Sequence, residues 1–353
     1  MNPSEIPNPN SKIRVLLVDD SPLVLNFLRR LLSRSPEIQV VGTAANGKEG
    51  LHMVLTLNPD VVCTDLHMPV MDGLEFTRAV MSTFPCPILV VSVSVDPGSA
   101  NVFQLLEAGA VDVFPKPRSI IDTDFDAVAS DLASKIRILA GVKVFRRRNI
   151  AHVAAISKPA ELPLPQFQPR MLIIGGSTGG PQALREILAH LPATFRLPLV
   201  CIQHIGSNFL SEMVTWLAEV STMPVRKAIH GELPLPGVIY FAPENAHLEF
   251  DHGGRFALSR ASPVDGHRPS VTVTMRSAAH HFGAGAVGVL LTGMGRDGAD
   301  GMASIAAAGG TTIVQDEASS VVYGMPKEAV ALGAAQHILP LDDIAQALIS
   351  IAE

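Results

Sequence analysis

The stretch MLIIGGSTGGPQALREIL, residues 171–188, decides how the second half of the chain is read. Met171 to Ile174 is an apolar run with the length of a buried strand. The turn Gly175-Gly176-Ser177-Thr178-Gly179-Gly180 follows it. Pro181 suits the first position of a helix, where its missing N–H would go unpaired anyway, and Leu184 and Leu188 recur at helical spacing. Strand, glycine-rich turn and helix in succession make one unit of an α/β fold. The turn sets a hydroxyl beside the unpaired N–H groups of a helix N-terminus, which favour negative charge. Two chemistries fit it: a phosphate cradle, or Ser177 raised as a nucleophile beside an oxyanion site.

Outward from that unit the alternation continues. LPLVCIQHI (197–205) reads as a strand ending at Gln203-His204, and NFLSEMVTWLAEV (208–220) as a helix. MPVRKAIHGE, GVIYFAPEN, HLEFDHG and RFALSR read as short strands with turns between them. SVTVTMRSAAHHFG (270–283) opens a helix, and AVGVLLTG (286–293) is a buried strand running into GMGRDGADG. GMASIAAAGG is a helix with a glycine stop, TTIVQDE a strand and DDIAQALISIAE the closing helix. The expectation is a mostly parallel sheet with short β-hairpin excursions.

Ser177, His204 and Asp297 then stand at carboxyl ends of parallel strands, where open α/β sheets place function. A serine hydroxyl is a weak nucleophile until a base takes its proton. Neutral imidazole suits that task near pH 7, and a carboxylate fixes its tautomer. Each residue also has a plainer role. Ser177 or Thr178 would cap the helix, His204 would be a satisfied strand-end histidine, and Asp297 a turn aspartate. His230, His247, His252, His267, His280 and His281 compete as bases. None follows a strand as apolar as LPLVCIQ, so they are assigned surface or structural roles. No H-x-x-x-H or H-E-x-x-H pattern offers a zinc site. A dinucleotide fingerprint fails twice: Ser177 stands where G-x-G-x-x-G needs glycine, and the next strand ends in Gln203-His204 instead of an acidic residue.

The first half repeats the strand–helix alternation five times. KIRVLLVDD, IQVVGTAAN, DVVCTDLHMP, PILVVSVSV and DVFPKP are the strands, which argues a five-stranded, doubly wound parallel sheet. Its strand ends carry Asp19 and Asp20, then Asp65, Ser92 and Lys116. Three converging carboxylates repel unless a cation lies between them, and a hard divalent ion, most simply Mg²⁺, fits oxygen ligands. Lys116 adds a compact positive charge. An aspartate held this way can act as a nucleophile and carry an aspartyl phosphate.

The chain of 353 residues has room for two such domains, and 47% hydrophobic with 17% charged residues is a globular composition. A net charge of −6 and 5% aromatic residues argue against nucleic acid as a partner. Cys63, Cys86 and Cys201 are far apart and form no C-x-x-C, so they read as buried thiols of a cytosolic protein. The lead MNPSEIPNPNSK is polar and is no signal peptide, and no apolar stretch reaches spanning length. A cytoplasmic, monomeric protein without membrane insertion is expected. The domain boundaries are read as 12–135, a helix extension and linker over 136–168, and 169–353. The linker holds Arg146, Arg147 and Arg148, and Pro159, Pro163, Pro165 and Pro169 stiffen it.

The pair after the first strand, D-x-x-M-P-x-M-D-G from Asp65 to Gly73, Ser92, and Lys116-Pro117 together resemble a response-regulator receiver domain. The resemblance implies Asp65 as phospho-acceptor, with Mg²⁺ held by Asp19, Asp20, Asp65 and the backbone carbonyl of His67. Ser92 and Lys116 would contact the phosphoryl group, and a histidine kinase would donate it. His67 stands where relatives usually have an acidic residue. Val113, with Phe114 next to it, stands where many receivers place a switch aromatic. In the second half, I-I-G-G-S-T-G-G-P, Q-H-I, H-R-P-S-V (267–271), L-T-G-M-G-R-D-G (291–298) and G-M-P (324–326) resemble the catalytic domain of chemotaxis receptor methylesterases, the CheB family. This implies a Ser177–His204–Asp297 triad, with backbone N–H groups of Met294 and Thr178 at the oxyanion and no cofactor in the catalytic domain. It also implies a glutamyl methyl ester on chemoreceptor helices as substrate, with deamidation of receptor glutamines as a second activity. Thr272 stands where the family usually has Asp, at a position expected to be supportive.

Overall fold

A computed structural model of the chain describes residues 12–92, 102–116, 124–142, 144, 168–206 and 209–352. The chain divides between residues 151 and 152 into two compact units.

The N-terminal unit runs β1 (Ile13–Val18), α1 (Pro22–Leu32), β2 (Ile38–Ala44), α2 (Gly47–Leu57), β3 (Val61–Thr64), α3 (Gly73–Thr83), β4 (Ile88–Ser92), α4 (Phe103–Ala108), β5 (Asp112–Pro115) and α5 (Phe125–Leu139). The strands pair in parallel in the order β2-β1-β3-β4-β5. Each of the first three helices starts where a side chain can take up an unpaired N–H. Ser21 accepts from Val24, Asn46 from Glu49 and Asp72 from Glu75. Glu49 also accepts from the Ala45 N–H, which makes a reciprocal cap with Asn46. α5 ends at Leu139, so the helix extension is four residues long, and most of the segment expected as linker lies outside the described residues.

The C-terminal unit begins with β6 (Met171–Gly176), α6 (Gly180–His190), β7 (Leu199–Gln203) and α7 (Leu210–Ala218). Four short strands follow: β8 (Val225–Lys227), β9 (Ile239–Phe241), β10 (His247–Phe250) and β11 (Phe256–Ser259). The remainder is α8 (Val271–Phe282), β12 (Ala286–Leu290), α9 (Ala299–Ala307), β13 (Thr311–Gln315), α10 (Met325–Ala331), β14 (His337–Leu339) and α11 (Leu341–Ala352). Seven strands pair in parallel in the order β14-β13-β12-β6-β7-β9-β8, and β10 and β11 form a separate antiparallel hairpin. β6 lies near the middle and is fully buried along its length, as an apolar run in a parallel sheet must be. The core on one face of this sheet joins Ile173, Ile202, Tyr240, Val271, Met275, Leu290 and Met302.

In both units the strand order reverses beside the strand that opens the unit. From β1 the chain turns one way to β2 and then back to β3. From β6 it turns to β7, and it later resumes at β12 on the other side. Crevices at such reversals, outside the carboxyl ends of the strands, are where α/β sheets bind and react.

Candidate active site

Ser177 follows β6 directly, His204 follows β7, and Asp297 lies in the loop between β12 and α9. These strands are neighbours in the sheet, so the topology brings together residues spread over 120 positions of sequence.

The Ser177 turn is pinned through its backbone. Its N–H donates to the Thr292 carbonyl at 3.0 Å, and its carbonyl accepts from Gly180 at 2.8 Å. α6 is capped by Gly179, which has a positive φ of 78°, with no side-chain capping bond. The Ser177 hydroxyl is therefore not spent as a helix cap. It is half-buried at the mouth of the sheet and makes no hydrogen bond with the other described residues.

His204 is held from both ends. Its N–H donates to the Gly176 carbonyl at 3.0 Å, and its side chain is almost wholly buried. Nε2 meets Asp297 Oδ2 at 2.9 Å. A carboxylate can only accept, so Nε2 carries the ring proton and Nδ1 carries the lone pair. Nδ1 is buried and has no partner among the described residues. It is the nitrogen free to take a proton.

Asp297 is fully buried and receives four donors. Oδ1 accepts from the Ser270 hydroxyl at 2.7 Å and the Thr272 N–H at 2.9 Å. Oδ2 accepts from the Val271 N–H at 2.8 Å and from His204. The acid thus sits on the N-terminus of α8, where N–H groups and the helix dipole favour its charge. Burial by itself would raise its pKa, but the bond and charge of His204, the Thr272 N–H and the Ser270 hydroxyl outweigh burial and hold it well below the usual carboxylate range. Thr272 has the supportive place expected of it: its N–H holds the acid, and its hydroxyl accepts from the Gly298 N–H at 2.7 Å.

Several supporting residues were not legible as such in the sequence. Gln203 donates from Nε2 to the carbonyls of both Ser177 and His204, at 2.8 and 3.0 Å, and so ties the nucleophile's turn to the base. Buried His247 accepts the Ser270 N–H on Nδ1 at 3.2 Å and meets the Ser262 carbonyl with Nε2 at 3.1 Å. That pattern suits the neutral ring and fixes Ser270 under Asp297. His267 stacks on His204 with ring centroids 3.7 Å apart and an interplanar angle of 8°. The one local signal among these was Ser270, a good cap residue directly before an apolar helix. The others work across sequence distance: Gln203 and His267 lie inside the Q-H-I and H-R-P-S-V patterns, but nothing in those patterns says what they touch.

The N-terminal unit gathers a second cluster. Asp19 and Asp20 follow β1 and Asp65 follows β3, the two strands adjacent at the reversal. One oxygen from each of the three lies within 4.8 Å of the others. Lys116, after β5, reaches Asp19 at 2.7 Å and Asp65 at 2.8 Å. Asp65 also accepts the Leu66 N–H at 2.8 Å. Burial raises the Asp65 pKa, with Lys116 working against it and Asp19 adding to it. Ser92 is buried at the end of β4, and His67 is exposed. Val113 and Phe114 are both buried, so the aromatic at 114 is part of the core.

The remaining cysteines take no part. All three are buried, and burial pushes the Cys63 and Cys86 thiols up to about 12. Among the described residues no helix is long and apolar enough to cross a membrane.

Comparison with known proteins agrees with this division. A family model described as CheB methylesterase matches residues 172–348, and one described as response regulator receiver domain matches residues 15–123. A protein-glutamate methylesterase/protein-glutamine glutaminase of Nitrosospira multiformis is 41% identical over 343 residues, 96% of this chain and 97% of that protein. A protein of the same description from Geobacter metallireducens is 43% identical over 346 residues, 96% of this chain and 99% of its own. The crystal structure of the Thermotoga maritima CheB methylesterase catalytic domain superposes with a TM-score of 0.51 at 35% identity, covering 52% of this chain and all of that one.

Proposed function

The chain belongs to the CheB methylesterase family and carries a receiver domain ahead of its catalytic domain, and from that premise we propose that Ser177, His204 and Asp297 are the machinery of a phosphorylation-regulated protein-glutamate methylesterase. The substrate is a glutamyl methyl ester on the cytoplasmic helices of a chemoreceptor, and the protein works in the cytoplasm as a monomer.

Ser177 Oγ attacks the ester carbonyl while His204 Nδ1 takes its proton. Asp297, charged throughout the neutral range, holds Nε2–H and stabilises the imidazolium that forms. The backbone N–H groups of Met294 and Thr178 receive the oxyanion, aided by the N-terminus of α6. When the tetrahedral intermediate collapses, the imidazolium returns the proton to the departing methoxide and methanol leaves. Water, deprotonated by His204, then cleaves the acyl-enzyme and frees the glutamate side chain and Ser177. A glutamine side chain run through the same steps loses ammonia, which makes the protein a glutaminase as well.

In the receiver, Asp65 accepts a phosphoryl group from a histidine kinase, with Ser92 and Lys116 against its oxygens. Three carboxylates with oxygens so close together suit a hard divalent cation. Asp19, Asp20, Asp65 and the His67 carbonyl would hold Mg²⁺, which would supply positive charge against the negative charge of the reacting groups.

The observation that carries the proposal is the open, buried Nδ1 of His204, whose other nitrogen is locked to Asp297. Methanol release from methylated receptor membranes, with and without a small phosphodonor, tests it. Ser177→Ala should lower turnover on the order of 10⁶-fold if the three residues act as a unit. Release that survives the substitution overturns the assignment. A phosphodonor should raise release from the wild type and leave an Asp65→Asn variant unmoved.

A further inference from the structure

We infer that His267 is a positioning residue for the base, its ring holding the plane of the His204 imidazole; the inference rests on the proposed role of His204. The Nε2 contact with Asp297 fixes one point of the His204 ring. The torsion that turns a histidine ring is broad and carries no sharp preference of its own. The opposite edge offers no restraint, because Nδ1 has no partner among the described residues. A ring held at one point can still swing its far nitrogen away from Ser177. The stack removes that freedom. With centroids 3.7 Å apart and planes 8° from parallel, a tilt in either sense drives an edge of one ring into the other.

His267 is itself immobilised, as such a support must be. Val264 and His267 exchange both backbone hydrogen bonds, at 2.9 and 3.1 Å, around Asp265 and Gly266. Those two residues have φ of 50° and 81°, as a two-residue hairpin turn with positive φ at both central positions requires. On the other side, Arg268 Nη1 donates to the carbonyls of Arg260 and Ala261, each at 3.1 Å. Two residues further on, Ser270, Val271 and Thr272 hold Asp297. One short segment, 264–272, therefore supports the acid from below and the base from its face.

The test compares flat and non-flat side chains at 267 in the full-length protein. His267→Ala and His267→Leu remove the flat ring, and His267→Phe keeps it without the nitrogens. Two rates are read for each: methanol release from methylated receptor, and covalent labelling of Ser177 by phenylmethylsulfonyl fluoride, which needs no receptor. The Ala and Leu variants should lose about 10- to 100-fold in kcat, the scale of a small misplacement of a reacting group. KM should stay within about twofold, labelling should slow in step with kcat, and the thermal midpoint should hold. His267→Phe should recover most of both rates. Wild-type kcat in the Ala and Leu variants, a loss confined to KM, or a Phe variant no better than Leu each overturns the inference. Failure of the underlying reading shows separately, as wild-type protein that is not labelled at Ser177 or a His204→Ala variant that still releases methanol.

Discussion

Each half of the chain sets an aspartate at a strand-order reversal, and the two are treated in opposite ways. Asp297 receives four donors and is held well below the usual carboxylate range. Asp65 has one N–H and one ammonium, and burial raises its pKa. The difference follows from what each must do. An acid that only orients a base and faces an imidazolium should stay charged, so every lone pair is satisfied. An acid that must itself form a bond needs a lone pair to spare, and Asp65 has a single partner on each oxygen where Asp297 has two. The same secondary-structure grammar thus serves a fixed charge in one unit and a reactive one in the other.

The comparison breaks first, and most heavily, at Asp297→Asn. The amide turns an N–H₂ group toward donors that expect an acceptor, and it no longer selects the His204 tautomer. Turnover measured as methanol release should fall by roughly 10⁴-fold. The catalytic unit should also lose about 2–3 kcal/mol, the scale of hydrogen bonds to a charged group, read from denaturant unfolding. The sign of the pH dependence is set by the lowered pKa: the stabilisation is present above the ordinary carboxylate value and is lost as pH falls through the folded-state value. Asp297→Asn should therefore flatten the acid limb of the catalytic unit's stability.

Ser270→Ala is the milder version. It removes one donor from Asp297 and the cap of α8, because Ser270 Oγ also accepts the Val273 N–H at 3.3 Å. Roughly 1–2 kcal/mol of stability should go with the cap. The kcat loss should be far smaller than that of Asp297→Asn, because the charge and two backbone donors remain. Equal losses would mean that Ser270, and not the charge, is what orients the base.

Asp65→Asn should do the reverse of Asp297→Asn. A carboxylate whose folded pKa is raised costs stability above that value, and the cost is relieved as pH falls through it. The amide removes the cost at neutral pH, while Lys116 keeps Asp19 as its partner. The receiver should gain about 1 kcal/mol, as substitutions that relieve a functional site do, and should take up no phosphoryl group. Mg²⁺ should raise the wild-type receiver's unfolding midpoint and leave that of the variant nearly unmoved. A receiver destabilised by Asp65→Asn would place the Lys116 ion pair above burial in the balance and undo the contrast.

Much of this contrast was legible in the sequence, for one physical reason. Parallel strands buried on both faces are nearly unbroken apolar runs, so the first polar residue after each run marks the sheet's reactive edge. That rule places Asp19 and Ser177 directly, and it comes within one residue of Asp65 and His204, which stand behind Thr64 and Gln203. It does not find α10 and β14, of seven and three residues, which the sequence reading passed over. β14 is an edge strand whose Ile338 is half-exposed, so it carries no apolar run to detect. Nor does it reveal what treats the two aspartates differently. The donors to Asp297 stand 25 to 27 residues before it, and 93 for His204, joined only when α8 packs beneath the sheet's edge. A cap residue is readable at Ser270, but the acid it serves is not.

The smallest expected effect lies in the loops that carry the two acids. The loop of Asp297 places glycine at its positive-φ positions, Gly295 and Gly298, with φ of 85° and 94°. The loop after Asp65 instead puts Val70 there, with φ of 69°. Its neighbours Pro69 and Met71 close a tight three-residue turn, the Met71 N–H donating to the Pro69 carbonyl at 2.8 Å. A β-branched residue in this region is strained by about 1–3 kcal/mol, and no burial offsets the strain, because the Val70 side chain is 78% exposed. Val70→Gly removes the strain but frees the unfolded chain, at a cost of roughly 0.5–1 kcal/mol. A net gain of about 1 kcal/mol in receiver stability should remain, measured by denaturant unfolding and confined to that unit. A loss would mean that the turn is not strained at Val70. The receiver's acid would then sit in a loop as relaxed as the one that holds Asp297, and the contrast between the two sites would reside wholly in their donors.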